Sequence, residues 1–245
     1  MSTAVSPLEL WRYKEIVVLT GAGVSAASGL PTYRGPGGLW NQTDVDRHAT
    51  AAAMAADPST VWAFFARLRR EVGNAAFNPA HHALARAEQA LQPHQRLTVV
   101  TQNVDGLHQL AGSKRVVELH GTLRRSRCTA CDFVRPENVW IVEIDCPDCS
   151  WCGEPMRPDV VLFDEPLPVR AEWEAKTALR SCDLFLAVGT SGSVSPASNF
   201  VRSAEYAGAR TIYINLEPMD PPNRAFAEVH LGRAEDLLPV LLGAR

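Results

Sequence analysis

The sequence predicts an α/β fold, in which a doubly wound parallel sheet carries a small inserted helical and zinc-binding module. Two observations predict the sheet. Short apolar runs recur along the 245-residue chain, at residues 16–19, 97–100, 160–163, 184–188 and 211–214. Continuous runs of this kind are typical of strands buried on both faces of a parallel sheet. Helical patterns separate the runs, as in βαβ units, and apolar residues at 237–241 predict a closing helix.

The third observation is a break in this rhythm, which predicts the insertion. Residues 32–73 contain no convincing strand, and apolar spacing at residues 61–72 predicts one amphipathic helix there. A second segment, 123–156, contains a cluster of cysteines. We therefore expect a Rossmann-like domain from residues 1–31, 74–122 and 157–245, and a small helical and zinc-ribbon module from residues 32–73 and 123–156.

Composition excludes several classes of partner. Hydrophobic residues make up 46% and charged residues 21% of the chain, which is ordinary for a globular protein. The formal net charge of −3 gives no electrostatic reason to expect direct nucleic-acid binding. No apolar run is long enough to span a membrane, and the N-terminus does not resemble a signal peptide. We therefore expect a cytoplasmic protein without a membrane partner.

The cysteines predict one structural zinc ion. Two C-x2-C pairs are separated by a spacing that suits a tetrathiolate site, and their members are Cys128, Cys131, Cys149 and Cys152. Cys146 offers a competing pair with Cys149, but Gly153 after Cys152 favours the first assignment. A closed shell of four sulfurs leaves no position for a reacting water, so the metal is expected to be structural.

A glycine-rich segment, residues 21–29, follows the first predicted strand directly. Glycines here allow a tight turn and close approach of the backbone to phosphates, and a following helix would direct its N-terminal amides at them. The spacing is not that of the usual G-x-G-x-x-G motif, because Ala26 occupies its third position. A glycine turn without a ligand remains an alternative at this point.

Polar residues follow two further predicted strands. Gln102, Asn103 and Asp105 come after the run 97–100, where ligands bind in open α/β sheets. The alternative is a helix cap rich in Asn and Asp. His120 ends a short strand at 116–119 and is a candidate general base, because histidine titrates near neutral pH. An isolated histidine is also often structural.

Taken together, these motifs occur in one order along the chain. To those already described the sequence adds Pro31-Thr32-Tyr33-Arg34, Arg157-Pro158-Asp159, Gly189-Thr190-Ser191 and Asn215-Leu216-Glu217. In this combination the chain resembles the sirtuin family of NAD-dependent protein deacylases, from about residue 16 to residue 238.

The resemblance implies a role for matching residues. It implies a catalytic group of His120, Asn103 and Gln102, with His120 as the base. It implies an NAD site formed by Gly21, Ala22, Gly23, Ser25, Arg34, Gln102, Asn103, Asp105, Gly189, Thr190, Ser191, Asn215 and Glu217. It also implies that Val160, Val161 and Phe163 form the strand edge that pairs with an acylated protein substrate.

The implied reaction consumes NAD as a co-substrate. Acyl groups leave protein lysines, and the products are nicotinamide, O-acyl-ADP-ribose and free lysine. The same pocket could instead transfer ADP-ribose to a protein, and a binding protein without turnover is a third alternative. Intact Asn103, Asp105 and His120 argue against the third.

The acyl preference depends on one helix. The sirtuin branch that removes acidic acyl groups carries Tyr-x-x-Arg there, whereas an ungapped alignment gives Phe65 and Leu68. These residues would line the acyl pocket without a partner for a carboxylate, so acetyl or other neutral acyl groups are expected. The alternative is a slipped helix that brings Arg67 or Arg69 to succinyl or malonyl groups. Asp164, where the family usually has glycine, is a further departure.

Overall fold

The computed structural model describes residues 5–32, 45–139, 145–192 and 195–243. The strands in these ranges are β1 (Glu15–Thr20), β2 (Arg96–Thr101), β3 (Val116–Glu118), β4 (Gly121–Cys128), β5 (Val134–Pro136), β6 (Met156–Val160), β7 (Leu184–Val188), β8 (Arg210–Asn215) and β9 (Glu228–Leu231). The α-helices are α1 (Val45–His48), α2 (Ala51–Ala56), α3 (Pro58–Asn74), α4 (Pro79–Gln89), α5 (Leu107–Leu110), α6 (Val169–Arg180), α7 (Phe200–Tyr206) and α8 (Ala234–Leu241).

The larger sheet has six strands in the order β3-β2-β1-β7-β8-β9, and every neighbouring pair is parallel. β1 lies at the centre, where Val18 is in register with Val99 of β2 and Leu186 of β7. All five residues of β7 are buried, which explains its unbroken apolar run. The predicted doubly wound parallel sheet is confirmed.

Helices cover both faces of this sheet. On one face Leu84 of α4 and Leu238 of α8 pack against β1, β2, β7 and β8. On the other face Leu179 of α6 and Phe200 of α7 pack against the same central strands. The helix predicted at the C-terminus is therefore present, and it closes one of the two core layers.

A second, three-stranded sheet has the order β5-β4-β6 and is antiparallel. The prediction that residues 160–163 form a strand of the parallel sheet is wrong. Strand β6 ends at Val160, and it pairs with β4, with Val160 in register with Gly121. The run is apolar because Val160 and Leu162 pack against α3, through Phe65, and against Leu123. An apolar run predicts that a segment is buried, but it does not predict which sheet the segment joins.

Helix α3 contains the amphipathic helix predicted at residues 61–72. Asp57 caps its N-terminus by accepting hydrogen bonds from the backbone of Ser59 and Thr60, and Pro58 is its first residue. Trp62 and Ala66 face the cysteine cluster, while Phe65 and Val72 face the core near β6. The helix thus joins the two parts of the small module. Among the helices that the structure describes, none combines the length and the hydrophobicity of a membrane span.

Candidate active site

A cleft of about 640 Å³ lies at the carboxyl ends of the central parallel strands. Its lining includes the residues at or just after the ends of four strands: Gly21 (β1), Gln102 (β2), Gly189 (β7) and Asn215 (β8). The strand order reverses between β1 and β7, and open α/β sheets bind ligands at such a switch point. Residues of α3 and the segment after β6 form the opposite wall.

The glycine-rich loop packs directly against the loop that follows β7. A Cβ atom added to Gly21 would lie 2.7 Å from the carbonyl oxygen of Gly189, and one added to Gly23 would lie 2.7 Å from the Gly189 Cα. Only glycine allows the two loops to pack this closely. Both loops line the cleft. Ala22 also lines the cleft, and Arg34 lies outside the described residues.

The helix expected after these glycines does not form. Two 3-10 turns, Ala22–Val24 and Ala26–Ser28, take its place, and Gly29 ends the second turn in a left-handed conformation with φ of 83°. Phosphate recognition by a long helix dipole is therefore not available here. The N–H groups of Gly21, Gly23 and Gly189 already donate to carbonyls within the protein. Donors to a phosphate would therefore be other backbone N–H groups of these two loops.

Asn103, Ser25 and Asp105 form one buried hydrogen-bonded group below the glycine loop. The Asn103 amide donates to the Gly21 carbonyl at 3.0 Å and to the Ser25 hydroxyl at 3.1 Å. Ser25 in turn donates to Asp105 at 2.7 Å. Asn103 Oδ1 is buried and accepts no hydrogen bond from the described residues. An acceptor left over in a cleft wall fits a ligand that carries N–H or O–H groups, such as a carboxamide or a sugar hydroxyl.

The residues at and just after the ends of β1, β2, β7 and β8 form one wall of the cleft, here called the cofactor wall. Hydrogen bonds also link the residues at its other end. The Gln102 amide donates to Thr190 Oγ1 at 3.0 Å, and the Tyr213 hydroxyl donates to the Thr190 carbonyl at 2.9 Å. Asn215 donates to that same tyrosine hydroxyl at 2.7 Å. Ser191 and Glu217 line the cleft nearby. The structure thus brings together all the predicted NAD-site residues that it describes, except that Ser25 and Asp105 line a smaller adjoining pocket.

His120 lies where the two walls meet. Its Nδ1 is 3.1 Å from the Gln102 carbonyl oxygen, which can only accept, so Nδ1 carries the proton and Nε2 keeps its lone pair. Burial lowers the pKa of His120, although the hydrogen bond to Gln102 raises it in part. The imidazole is therefore neutral at pH 7 and can accept a proton through Nε2.

Sequence reasoning missed a second layer of buried polar residues under this site. His81 Nδ1 accepts from the backbone of Asn78 at 3.3 Å, and its Nε2 lies 3.4 Å from the Ser25 hydroxyl. His108 Nε2 lies 3.0 Å from Thr20 Oγ1, and the two histidine rings are 4.8 Å apart. Burial lowers the pKa of His81 to about 4 and that of His108 well below its usual value. The Asn-Pro-x-His capping box at the start of α4 was the available signal.

The acyl side of the cleft is apolar. Phe65 and Leu68 both line it, together with Phe64 of the same helix. Arg67 is exposed and absent from the lining. Arg69 is buried, donates to the Leu123 carbonyl at 3.1 Å and to the Ser126 hydroxyl at 2.7 Å, and stacks over Trp62. The slipped helix considered above does not occur, because Arg69 is held against the small sheet.

The segment after β6 forms the rim beside His120. Val160, Val161 and Phe163 all line the cleft, and Val161 N donates to the His120 carbonyl at 2.9 Å. The N–H and carbonyl of Phe163 are already used by Ala49 and Ala51, at 2.8 and 3.0 Å. The N–H of Leu162 donates to the Glu165 carboxylate at 2.9 Å, and its carbonyl accepts from the Glu165 backbone at 3.1 Å. Pairing of this edge with a peptide remains a prediction, and it would have to use backbone groups other than those of Leu162 and Phe163.

The four predicted zinc ligands converge. The sulfurs of Cys128, Cys131, Cys149 and Cys152 all lie within 4.8 Å of one another. Sulfur separations of 3.4 and 3.8 Å across the cluster fit a tetrahedral ion with Zn–S bonds of about 2.3 Å, for which the S–S separation is about 3.8 Å. Cys146 lies outside the cluster and donates to the Met156 carbonyl at 3.1 Å. The donor set suits a structural zinc ion.

A model of the Sir2 family matches residues 21–196, which include the loops after β1, β2 and β7, His120 and the cysteine cluster. This chain belongs to the Sir2 family. Two curated relatives support the assignment. The Pyrobaculum aerophilum "NAD-dependent protein deacylase 2" is 46% identical, over 94% of this chain and 90% of the relative. The Thermus thermophilus "NAD-dependent protein deacylase" is 42% identical, over 93% of this chain and 89% of the relative.

Solved Sir2 structures have the same fold. The crystal structure of a Sir2 homolog–NAD complex superimposes with a TM-score of 0.87 at 35% identity, and the match covers 99% of this chain and 96% of that chain. A Sir2 structure with a deacetylated p53 peptide and 3′-O-acetyl ADP-ribose gives a TM-score of 0.76 at 27% identity, over 92% and 91% of the two chains. The predicted family is confirmed.

Proposed function

We propose that this Sir2 chain removes neutral acyl groups from protein lysines in a reaction that consumes NAD and water and yields nicotinamide, O-acyl-ADP-ribose and free lysine. The observation that carries the proposal is the position of His120 between a polar wall and an apolar wall. The relatives are named NAD-dependent protein deacylases, and a related structure holds NAD. Acylated proteins are the proposed partners.

The polar wall fits NAD, and the residues have separable tasks. NAD, when bound, supplies the ribose carbon from which nicotinamide departs. Asn103 Oδ1, which has no hydrogen-bond partner among the described residues, would accept a hydrogen bond from the carboxamide or a ribose hydroxyl. Ser25 and Asp105 hold the Asn103 side chain in position. Gln102 and Asn215 hold the loops on the phosphate and adenosine side. His120 Nε2 would take the proton from a ribose hydroxyl, because its Nδ1 is already a donor to Gln102.

The apolar wall favours a neutral acyl group. Phe65 and Leu68 offer no hydrogen-bond donor, and a succinyl carboxylate placed against them would lose its hydration without compensation. Neither Arg67 nor Arg69 lines this wall. Acetyl and somewhat longer neutral chains therefore fit better than acidic ones. We also propose a two-part division, with residues 1–31, 74–122 and 157–245 in the larger part and residues 32–73 and 123–156 in the smaller part. Strands β4 and β6, which pair with each other, cross this boundary. The proposed location is cytoplasmic.

The test is product analysis with the purified chain, NAD and an acetyl-lysine peptide. We expect nicotinamide, deacetylated peptide and O-acetyl-ADP-ribose in equal amounts by mass spectrometry. Omission of NAD should abolish peptide deacetylation. Nicotinamide release accompanied by ADP-ribose on the protein or peptide, with the acetyl group retained, would contradict the proposal and favour ADP-ribosyl transfer.

A further inference from the structure

Asp164 has an unusual backbone conformation at the rim of the cleft. Its φ is 69°, and no other non-glycine residue in the described chain has a positive φ. Side chains other than glycine are strained in this region, although Asp and Asn tolerate it better than most. Such strain persists where neighbouring contacts impose it, and it occurs preferentially at functional sites.

Both neighbours of Asp164 are anchored. Phe163 exchanges backbone hydrogen bonds with Ala49 and Ala51, at 2.8 and 3.0 Å. Glu165 accepts a bidentate pair from the buried Arg157, at 2.6 and 2.9 Å, and also accepts from the backbone of Leu162. These contacts hold the main chain of Asp164 in place, so the position of its side chain is restricted in advance of binding.

The Asp164 carboxylate has no partner among the residues that the structure describes. It is exposed, lines the cleft, and makes no hydrogen bond or ion pair with any described residue. Among the described residues of the lining, the other acidic ones are Glu165, Glu217 and Glu235, and the one arginine is Arg233. Glu165 is neutralised by Arg157, and Glu235 lies 3.5 Å from Arg233. Glu217 lies two residues beyond the end of β8, on the cofactor side. Among the described residues, Asp164 thus carries the uncompensated charge beside the proposed peptide edge.

We propose that Asp164 selects substrates that carry an arginine or lysine next to the acylated lysine. This inference rests on the proposed function, because it needs a peptide at residues 160–163. A strand rises about 3.3 Å per residue, so a long basic side chain one or two positions from the acyl-lysine can reach the carboxylate. The carboxylate attracts such a cation and repels an acidic residue at the same position.

The experiment uses acetyl-lysine peptides that differ only at one flanking position, which holds Arg, Gln or Glu. Each of the two positions on either side of the acetyl-lysine is varied in turn. At the responsive position we expect kcat/KM to be about 2- to 5-fold higher for Arg than for Gln, which is the range for an exposed ion pair, and lower for Glu. The preference should shrink in about 0.5 M salt, where charges are screened over shorter distances.

Two variants separate charge from backbone strain. Asp164→Asn removes the charge and tolerates the same backbone, whereas Asp164→Gly removes the charge and relieves the strain. In both, the Arg-to-Gln ratio should fall to about 1, because the ratio depends on the charge alone. A residue with only a structural role would change all three peptides by the same factor. Glu205→Gln, an exposed carboxylate on α7 outside the cleft lining, is the matched control and should keep the wild-type ratio.

Peptide binding, measured by fluorescence polarisation, is compared alongside turnover. Preferential binding of the Arg peptide without deacetylation would contradict the proposed function but support the role of Asp164. Deacetylation without any flanking preference, or a preference that survives in both variants, would overturn the role of Asp164 and leave the proposed function standing.

Discussion

The two walls of the cleft are built in different ways. The cofactor wall consists of loops at the ends of β1, β2, β7 and β8, and its polar side chains bond to one another or to the main chain, as Asn103 does to Gly21 and Gln102 to Thr190. The substrate wall consists of one face of α3 and the segment after β6, and is mainly apolar. His120 stands between them.

Because of this difference, we expect NAD binding and acyl-group selectivity to depend on separate sets of residues. The register of parallel strands places the loops of the cofactor wall, so a change there disturbs a network that extends across several strands. On the substrate wall, single side chains such as Leu68 face the cleft from a helix that is already anchored elsewhere. We expect substitutions on the substrate wall to change selectivity without changing NAD binding.

The largest effect is expected for the residue between the walls. His120→Ala should reduce kcat about 10²- to 10⁴-fold, because a general base contributes about that much to the chemical step. The Kd for NAD, measured by calorimetry, should change little, since the cofactor wall stays intact. His94→Ala, which alters an exposed histidine outside the cleft lining, is the control. Turnover within a few-fold of wild type would remove His120 from this role.

A substitution on the substrate wall should change acyl selectivity next. Wild type should prefer acetyl- and butyryl-lysine peptides over succinyl-lysine in kcat/KM. Leu68→Arg should raise the succinyl-to-acetyl ratio about 10- to 100-fold, because a charge-assisted hydrogen bond contributes about 1.5–3 kcal/mol. Adding Phe65→Tyr tests the complete Tyr-x-x-Arg pair.

Arg67→Leu is the matched control for this prediction, because that arginine is exposed and lies outside the lining. Its succinyl-to-acetyl ratio should equal that of wild type. A wild-type preference for succinyl-lysine, abolished by Arg67→Leu, would show that this arginine does reach the substrate.

Zinc removal should damage the substrate wall before the cofactor wall. Trp62 and Ala66 of α3 pack against the cysteine cluster, so its collapse releases the helix that carries Leu68. The double variant Cys149→Ser, Cys152→Ser should lose stoichiometric zinc and lower Tm by about 10 °C, as expected for a loss of roughly 4 kcal/mol in a chain of this size. Metal analysis and calorimetry measure both. Cys146→Ser should retain zinc, and zinc retained by the double variant would refute the ligand assignment.

The smallest effect concerns pH. Because burial lowers the pKa of His120, the base should stay deprotonated, and therefore active, to a lower pH than an exposed histidine. Activity is lost as pH falls through that lowered pKa, so the acid limb of kcat/KM should have its midpoint below 6.5. The His94→Ala variant should keep the same limb. A midpoint at or above 6.5 would contradict the assignment.

Strands were predictable where their burial produces an unbroken run of apolar residues. Strand β7 is buried along its whole length and appears as an apolar run, whereas the edge strand β9 alternates half-buried and exposed residues and was not found. The apolar run at 160–163 was assigned to the wrong sheet, since β6 pairs with β4. From the sequence, His81 is predicted to be a structural histidine and His108 to be part of a continuing helix. Their contacts with the active site depend on how α4 and α5 pack against β1 and the loop after it.

The sequence by itself determined the family, the parallel sheet, the cysteine ligands and the polar residues at the strand ends. These features depend on residue types and on their spacing along the chain, both of which are visible in the sequence. Tertiary structure alone decided that Arg69 bonds to Leu123 and Ser126 and not to a substrate. It also decided that Asp164 is strained between two anchored neighbours and has no partner among the described residues. Both depend on which surfaces of α3, β4 and β6 meet, and that is settled by packing between segments far apart in sequence.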